Sequence, residues 1–455
     1  MPKRNLFVML VMVAVAAAAW CARERSAHGR RLGEVLATVE RSYLEPVDQE
    51  RLFNAAVDGI FSQLDEHSDF VSGDRRDELE GLLDQQFGGV GLELVEADEP
   101  REISVLTPVV GSPAWHAGIA AGDRIRAVDG EATRRLTLEE TSRRLRGRPG
   151  TAVVVSVVPA AAPSIDPADA SGAAARDIVL VREVVRTESV LGDRRRPDGS
   201  WDWMVEGESP GCALVRITAF GERTPDEVKR AVATIASEID AGRAIDALVI
   251  DVRGNAGGLL SAAVDVCDLF LDDGVIVSTR GRRGVTDSGV EAAIDVRKAS
   301  RGAALEGVRM AVLVDGLTAS AAEVLAACLQ DHGRALVVGS RTFGKGTVQT
   351  ILPLSDGSGL VKLTTAEYLR PSRVNIHRRS DDDSRDVWGV SPDSGCEIAP
   401  TRRQNEALES WRRHRDVVVS KGSAAASGAP ASDSPLPRQV DAVLAKAIEA
   451  VRAGR

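Results

Sequence analysis

Two stretches of the chain place a nucleophile and a base where a reaction could use them. The first runs M-A-V-L-V-D to Asp315 and on into G-L-T-A-S-A-A-E-V-L-A-A-C-L, a strand that turns into a helix with Ser320 at its start. A serine in that position is commonly only a helix cap. It also sits where helix amides and the helix dipole stabilise an oxyanion, and the N–H of Ala321 is the natural donor. The second stretch is A-L-V-V-G-S-R-T-F-G-K-G-T-V-Q-T-I-L, in which glycines flank Lys345. Positive charge is otherwise written almost entirely as Arg, so this position asks for an amine that can lose its proton, which a guanidinium cannot do. Desolvation lowers an ammonium pKa, and the neutral amine can then take the proton of Ser320 as general base. Gln349, four residues on, alternates onto the flank of Lys345 and is placed to orient the amine.

A third piece, A-L-V-I-D-V-R-G-N-A-G-G-L-L, opens a buried strand into a glycine turn before a helix. Adjacent Gly257 and Gly258 either merely start that helix or bring a backbone amide to the reacting carbonyl as second oxyanion donor.

Other chemistries fit less well. Gly339, Gly344 and Lys345 nearly spell a phosphate-binding loop, but Gly346 stands where Ser or Thr is required and a strand pattern follows instead of a helix. Of His28, His67, His116, His332, His377 and His414, none lies in a glycine-flanked loop beside a strand end, and His332 reads as the carboxyl cap of the helix begun at Ser320. Five cysteines without C-x-x-C spacing make neither a zinc site nor a readable disulfide framework, and no cofactor is expected. A net charge of -10, no long basic run and few aromatics argue against nucleic acid.

The elements that must hold these residues follow from the rest of the chain. With 455 residues, 44% hydrophobic, it can bury a core and divide into two or three domains. Residues 1–22 join a basic start to an apolar run and read as a cleaved signal peptide or a retained membrane anchor, placing the protein in the periplasm or on the outer face of the cytoplasmic membrane. Trp20 before Cys21 argues against a lipoprotein, and a buried terminal helix is the bland alternative. Residues 29–86 form a helical region, with two amphipathic helices broken near Pro46 and ending at L-D-E-H-S-D-F. From 87 to 159 short β runs alternate with glycine turns around one helix, Leu138 to Leu145. Residues 160–177 form an Ala/Pro-rich linker. Residues 178–400 alternate strands with helices at 225–240, 259–271 and 320–332, an α/β layer. Residues 401–455 read as a tail, with a low-complexity stretch at 422–436 and a last short helix, Val440 to Val451.

Taken in order, L-D-E-H-S-D-F, F-G-G-V-G-L-E-L with G-S-P-A-W-H-A-G-I-A-A-G-D-R-I-R-A-V-D-G, D-V-R-G-N-A-G-G-L-L, T-A-S-A-A-E, F-G-K-G-T-V-Q and Y-L-R-P-S resemble the carboxyl-terminal processing, or tail-specific, peptidases over about residues 30–400. The resemblance implies an α/β (α+β) multidomain fold: a crotonase-like β/α protease core with an inserted PDZ domain and N-terminal helices. It implies a serine endopeptidase with Ser320 as nucleophile, Lys345 as base, Gln349 positioning the lysine, and an oxyanion hole from Ala321 with Gly257 or Gly258. It further implies a PDZ domain that takes a free carboxylate on the amides of Gly89, Val90 and Gly91 by strand addition and acts as a gate. Envelope proteins or peptides with free carboxyl termini are the implied partners, and flanking helices imply a homodimer. Departures are Ala322 where a second serine is usual, the linker, the R-R-R-P-D-G-S-W-D-W-M insertion near Trp201 and the acidic S-D-D-D-S-R-D stretch, whose compositions suit lengthened loops. Two other classes stay open on the residues: a non-catalytic PDZ scaffold, and an acyl-CoA hydratase-like enzyme with no need of Ser320.

Overall fold

The computed structural model describes residues 27–72, 81, 84–97, 102–160, 175–286, 289–355, 357–379, 387–417 and 437–454. The apolar segment 1–22, most of the linker, the whole acidic stretch and the low-complexity stretch lie outside them. Among the described residues no helix is long and apolar enough to cross a membrane. The described residues form two compact units, one drawn from 1–73 and 349–364 and the other from 74–348 and 365–455.

In the first unit, α1 (Ala27–Ser42) and α2 (Gln49–Phe61) precede β1 (Asp69–Ser72). Asp48 caps α2 by accepting the Glu50 N–H, and Phe53 meets Phe70 edge to face. Strand β1 runs antiparallel to β20 (Gly359–Leu369), which also pairs with β19 (Thr347–Pro353). The L-D-E-H-S-D-F turn is organised by Asp65, whose carboxylate accepts bonds from Ser68 Oγ, the His67 N–H and Thr364 Oγ1.

The second unit begins with β2 (Gln86–Gly89), β3 (Leu92–Ala97), β4 (Glu102–Pro108), β5 (Arg124–Val128), β6 (Glu131–Ala132), α3 (Leu138–Leu145), β7 (Ala152–Val158) and β8 (Arg176–Val181). A sheet of order β3-β4-β5-β7-β8, with β6 beside β5, leaves β3 as an edge strand. Strand β8 follows the linker and completes this sheet. Capping at both ends of T-L-E-E fixes α3: Thr137 and Glu140 bond each other's backbone N–H groups. Leu138 and Leu145 of α3 join Leu92 and Leu94 of β3 in one apolar cluster, so the helix lies along the open edge.

Strand β9 (Glu183–Arg186) turns back and pairs with β2, so both chain crossings between this sheet and the rest of the unit share one antiparallel ribbon. Next come β10 (Val190–Leu191), the hairpin β11 (Arg194–Arg195) and β12 (Trp201–Asp202), β13 (Gly211–Ile217), α4 (Thr224–Asp240), β14 (Ile245–Asp251), α5 (Leu260–Asp268), the long pair β15 (Val275–Thr286) and β16 (Gly289–Lys298), β17 (Arg309–Val314), α6 (Ala321–Asp331) and β18 (Ala335–Gly339). The β11–β12 hairpin is the insertion near Trp201. Its tip touches the turn that follows β4, since a Cβ at Gly199 would lie 3.0 Å from Val110.

The parallel strands explain the apolar runs of the sequence. Order β10-β13-β14-β17-β18 puts β13, β14, β17 and β18 parallel, and such strands are buried on both faces. Leu248, Ile250, Val312 and Val314 face α4, α5 and α6. The alternate residues Ala247, Val249, Ala311 and Leu313 face α8 (Ala442–Arg452). Before α8 stands α7 (Arg402–Asp416), started by a Thr401–Gln404 capping box. The sequence reading placed no helix there. Its Arg412 and neighbouring Arg415 pair with buried Asp193, and Asp416 with Arg216, binding α7 to the strands.

Asp441, the N-cap of α8, makes a buried ionic triad with Arg253 and Asp251, at 2.7 Å and 2.6 Å from Arg253 Nη2. Burial pushes the Asp251 carboxyl up, but the guanidinium beside it more than offsets this and holds it below the usual 3.8. A carboxyl depressed by folding is protonated more readily in the unfolded chain. Its contribution is therefore present above pH 3.8 and lost as pH falls through the lower folded value. Urea unfolding free energy should thus fall more steeply below pH 3.8 in wild type than in Asp251→Asn; equal slopes would remove the triad from the acid response.

Candidate active site

The candidate residues gather at the carboxyl ends of parallel strands, the usual place for chemistry in such layers. Strand β14 ends in the R-G-N-A-G-G turn and β17 in the D-G-L-T-A-S turn. The two turns are laced together: Asp315 Oδ1 accepts the Gly254 N–H at 3.0 Å, Thr318 Oγ1 donates to Val252 O, and the Ala319 N–H donates to Asn255 O.

Ser320 stands at the mouth of α6 with φ 56° and ψ −119°. A non-glycine residue held there costs about 1–3 kcal/mol, and such strain collects at functional sites. Ala321 is the first helical residue. Gly257 lies against the serine: a Cβ on it would stand 2.8 Å from Ser320 Cβ and 3.1 Å from the Ala321 nitrogen, so only glycine fits. The Gly257 N–H donates to Asn255 Oδ1 at 2.8 Å. Among the described residues the N–H groups of Ala321 and Gly258 take no hydrogen-bond partner.

Lys345 is brought beside Ser320 by two side chains to which the sequence reading gave no role. Glu323, fully buried one turn into α6, accepts four bonds. Its Oε2 takes the Ser320 N–H at 2.9 Å and the Lys345 N–H at 2.8 Å; its Oε1 takes the Gly344 N–H at 2.7 Å and Thr342 Oγ1 at 2.5 Å. Burial pushes this carboxyl above the ordinary glutamate value, and the four donors pull it part of the way back. Tyr368, near the end of β20, places its hydroxyl between the carbonyl oxygens of Ser320, at 3.0 Å, and Lys345. One side chain thus clamps the two amides and another the two carbonyls.

The rest of the R-T-F-G-K-G loop is equally fixed. Phe343 N–H donates to Thr318 O, Arg378 N–H to Gly344 O and Tyr368 N–H to Gly346 O. Gly344 adopts φ 87° beneath Trp388, and a Cβ on Gly346 would strike Asn375 Oδ1 at 2.5 Å, which explains glycine on both sides of the lysine. Gln349 belongs to the other unit, where its Nε2 donates to Thr364 Oγ1 at 3.1 Å. His332 does close α6, with a ring nitrogen 2.8 Å from Val275 O.

Both overlooked residues left a trace. S-A-A-E is a capping-box spacing, [ST]-x-x-[DE], and would have singled out Glu323. Tyr368 is one of only two tyrosines, yet nothing local says where its hydroxyl goes. Tyr368→Phe removes the one hydroxyl hydrogen shared between the two carbonyls, and about 1 kcal/mol for the lost bond suggests a roughly fivefold lower kcat with KM unchanged in steady-state assays of a cleavable peptide; a change confined to KM would contradict the clamp.

The candidate carboxylate loop lies at the head of β3. Gly89 ends β2 opposite Glu183, Val90 is buried, and Gly91 turns with φ 76°. The loop is held from behind, as Val90 O accepts the Ala114 N–H and Gly91 O accepts the Val109 N–H and Ser112 Oγ. The open edge of β3 continues from it, with helix α3 packed alongside.

Comparison with known proteins matches residues 211–395 to peptidase family S41 and residues 104–159 to a PDZ domain. A carboxy-terminal-processing protease of Bartonella bacilliformis is 33% identical over 348 residues, 76% of this chain and 72% of that protein. The chain belongs to the carboxyl-terminal processing proteases. A second relative, from Synechocystis sp., is 30% identical over 79% of this chain and 74% of its own length. Among solved structures, a photosystem II D1 C-terminal processing protease is 28% identical, covering 82% of this chain and 94% of that one with a TM-score of 0.41. This protease is therefore a serine-type peptidase of mixed α/β, multidomain architecture that carries a PDZ domain.

Proposed function

We propose that this protease cleaves proteins by acyl transfer on a Ser320–Lys345 dyad after capturing their carboxyl-terminal tails in the PDZ groove. The observation that carries the proposal is the double clamp, in which Glu323 and Tyr368 bind the backbones of Ser320 and Lys345 to each other. The neutral Lys345 amine takes the hydroxyl proton as Ser320 Oγ attacks the scissile carbonyl, and the ammonium then gives that proton to the leaving amine. Water resolves the acyl-enzyme with the amine again as base. The developing oxyanion is received by the Ala321 N–H and by Gly258, the Gly257 amide being engaged by Asn255. Gln349 orients the lysine. No cofactor takes part.

The tail carboxylate binds the amides of Gly89, Val90 and Gly91, and the tail adds as a strand to β3. Residues 1–22 export the chain, as a cleaved signal or an anchor in the cytoplasmic membrane, so that substrates are envelope proteins; the helices of 29–86 support a homodimer. The proposed partition is a helical region at 29–86, a PDZ domain at 87–159 whose sheet the returning strand β8 completes after the linker at 160–177, a protease core at 178–400, and a segment at 401–455 whose α7 and α8 pack on that core.

An unfolded reporter with an apolar carboxyl-terminal tail tests the proposal. Wild type should degrade it while Ser320→Ala and Lys345→Ala do not, with all three binding the tail peptide equally. Degradation by either variant at the wild-type rate would end the dyad; binding by all three with no cleavage by any would favour a scaffold.

A further inference from the structure

Gln85, just before β2, combines features that stability alone does not favour. It is a non-glycine residue at φ 54°, and its buried Nε2 has no hydrogen-bond partner among the described residues. An unpaired buried donor and a left-handed backbone are both costly, and their coincidence marks a position held for another reason. Both of its oxygens are used. Gln85 O accepts the Thr187 N–H at 2.9 Å and Thr187 Oγ1 at 3.2 Å, which closes the end of the β2–β9 ribbon. Gln85 Oε1 accepts the Arg223 N–H at 2.9 Å, which fixes the orientation of the amide. The stem presses on Gly221, where a Cβ would meet Gln85 Cγ at 2.4 Å.

The segment it presses on leads straight to the reacting centre. Phe220 N–H donates to Gly257 O at 2.9 Å, and Phe220 O accepts the Leu259 N–H at 2.7 Å. A Cβ on Gly258 would lie 2.1 Å from Phe220 O, and one on Gly257 would lie 2.8 Å from Ser320 Cβ. In the other direction, four residues of β2 separate Gln85 from the Val90–Gly91 loop. A single side chain therefore stands between the ribbon that bears the tail loop and the turn that bears an oxyanion amide.

We propose that Gln85 is a positioning residue: by accepting the Arg223 N–H on Oε1 while its stem rests on Gly221, it holds the 220–223 turn, and through Phe220 the Gly257–Gly258 turn, against Ser320 and fixes that spacing to the β2–β9 ribbon. The proposal rests on the acyl-transfer reading above. Gln85→Met keeps the bulk against Gly221 and removes the unpaired amide while leaving the Arg223 N–H without its acceptor, one unpaired donor exchanged for another, so the melting temperature should change little. Gln85→Glu keeps the acceptor.

In the full chain acting on the tailed reporter, Gln85→Met should lower kcat about tenfold, a fraction of what loss of an oxyanion donor costs. KM and tail-peptide affinity should stay within about twofold, and Gln85→Glu should recover most of kcat. Wild-type kcat in Gln85→Met overturns the inference. So does a joint fall of kcat, peptide affinity and melting temperature that Gln85→Glu deepens, because that is a supporting role only. Ser320→Ala run alongside separates the two levels: if it matches wild type, acyl transfer and this inference fall together, whereas an inactive Ser320→Ala beside an unimpaired Gln85→Met overturns the inference alone.

Discussion

Lys345→Arg should lower kcat/KM for a tailed reporter by about 10⁴-fold or more, the scale on which removal of one member of a nucleophile–base unit acts. The substitution keeps the positive charge, so it separates two roles. A cation that only stabilises negative charge would tolerate Arg. A base that must be neutral before it can accept a proton cannot, because a guanidinium does not deprotonate in proteins. The loop should survive the change, since it is held through backbone atoms: the Lys345 N–H on Glu323 and the Lys345 carbonyl on Tyr368. Single-turnover rates, with circular dichroism to confirm the fold, measure it. Activity within about tenfold of wild type would remove Lys345 as base. In wild type, kcat/KM should rise with pH along one ionisation, because only the neutral amine is competent, and chelators should have no effect.

Glu323→Ala should cost both structure and activity. It strips an acceptor from four donors at once, two buried and two half-buried: the Gly344 amide and Thr342 hydroxyl, and the amides of Ser320 and Lys345. An orphaned buried donor costs about 1–3 kcal/mol, and with relaxation and entering water the sum should fall near 3–5 kcal/mol in urea unfolding. Because Ser320 and Lys345 lose their common tether, kcat should fall about 10³-fold, more than the folded fraction explains. Glu323→Gln keeps one acceptor oxygen but turns an NH₂ toward two donors, so it should lie between wild type and Glu323→Ala in both measurements. A Glu323→Ala protein as stable and active as wild type would dissolve the clamp.

Local pattern carried much of this architecture. Runs such as A-L-V-I-D and M-A-V-L-V are apolar without alternation because β14 and β17 are covered on both faces, and the starts of α4, α5 and α6 fall within a residue or two of where turn and periodicity place them. Ser320 and Lys345, the proposed dyad, stood out in the sequence because each breaks a local rule, a serine at a strand-to-helix turn and a lysine in an arginine-rich chain. What stayed hidden depends on distant partners. Glu323 serves residues some twenty positions away, and Tyr368 reaches Ser320 across 48 positions. Helix α7 is too polar to announce a buried face: it is held by ion pairs to Asp193 and Arg216 rather than by an apolar stripe, though its T-R-R-Q capping box was in plain view. The insertion near Trp201 read as a lengthened loop, and its composition gives no hint that Gly199 would meet Val110.

The most direct measurement is the mass of the enzyme during turnover. Wild-type protein mixed with a tailed peptide substrate, quenched in acid within the first turnovers and mapped by proteolytic digestion, should carry the acyl half of the substrate on the peptide containing Ser320, and Ser320→Ala should carry none. Hydrolysis by wild type with no adduct at any time, or an adduct on another residue that persists in Ser320→Ala, would contradict the dyad.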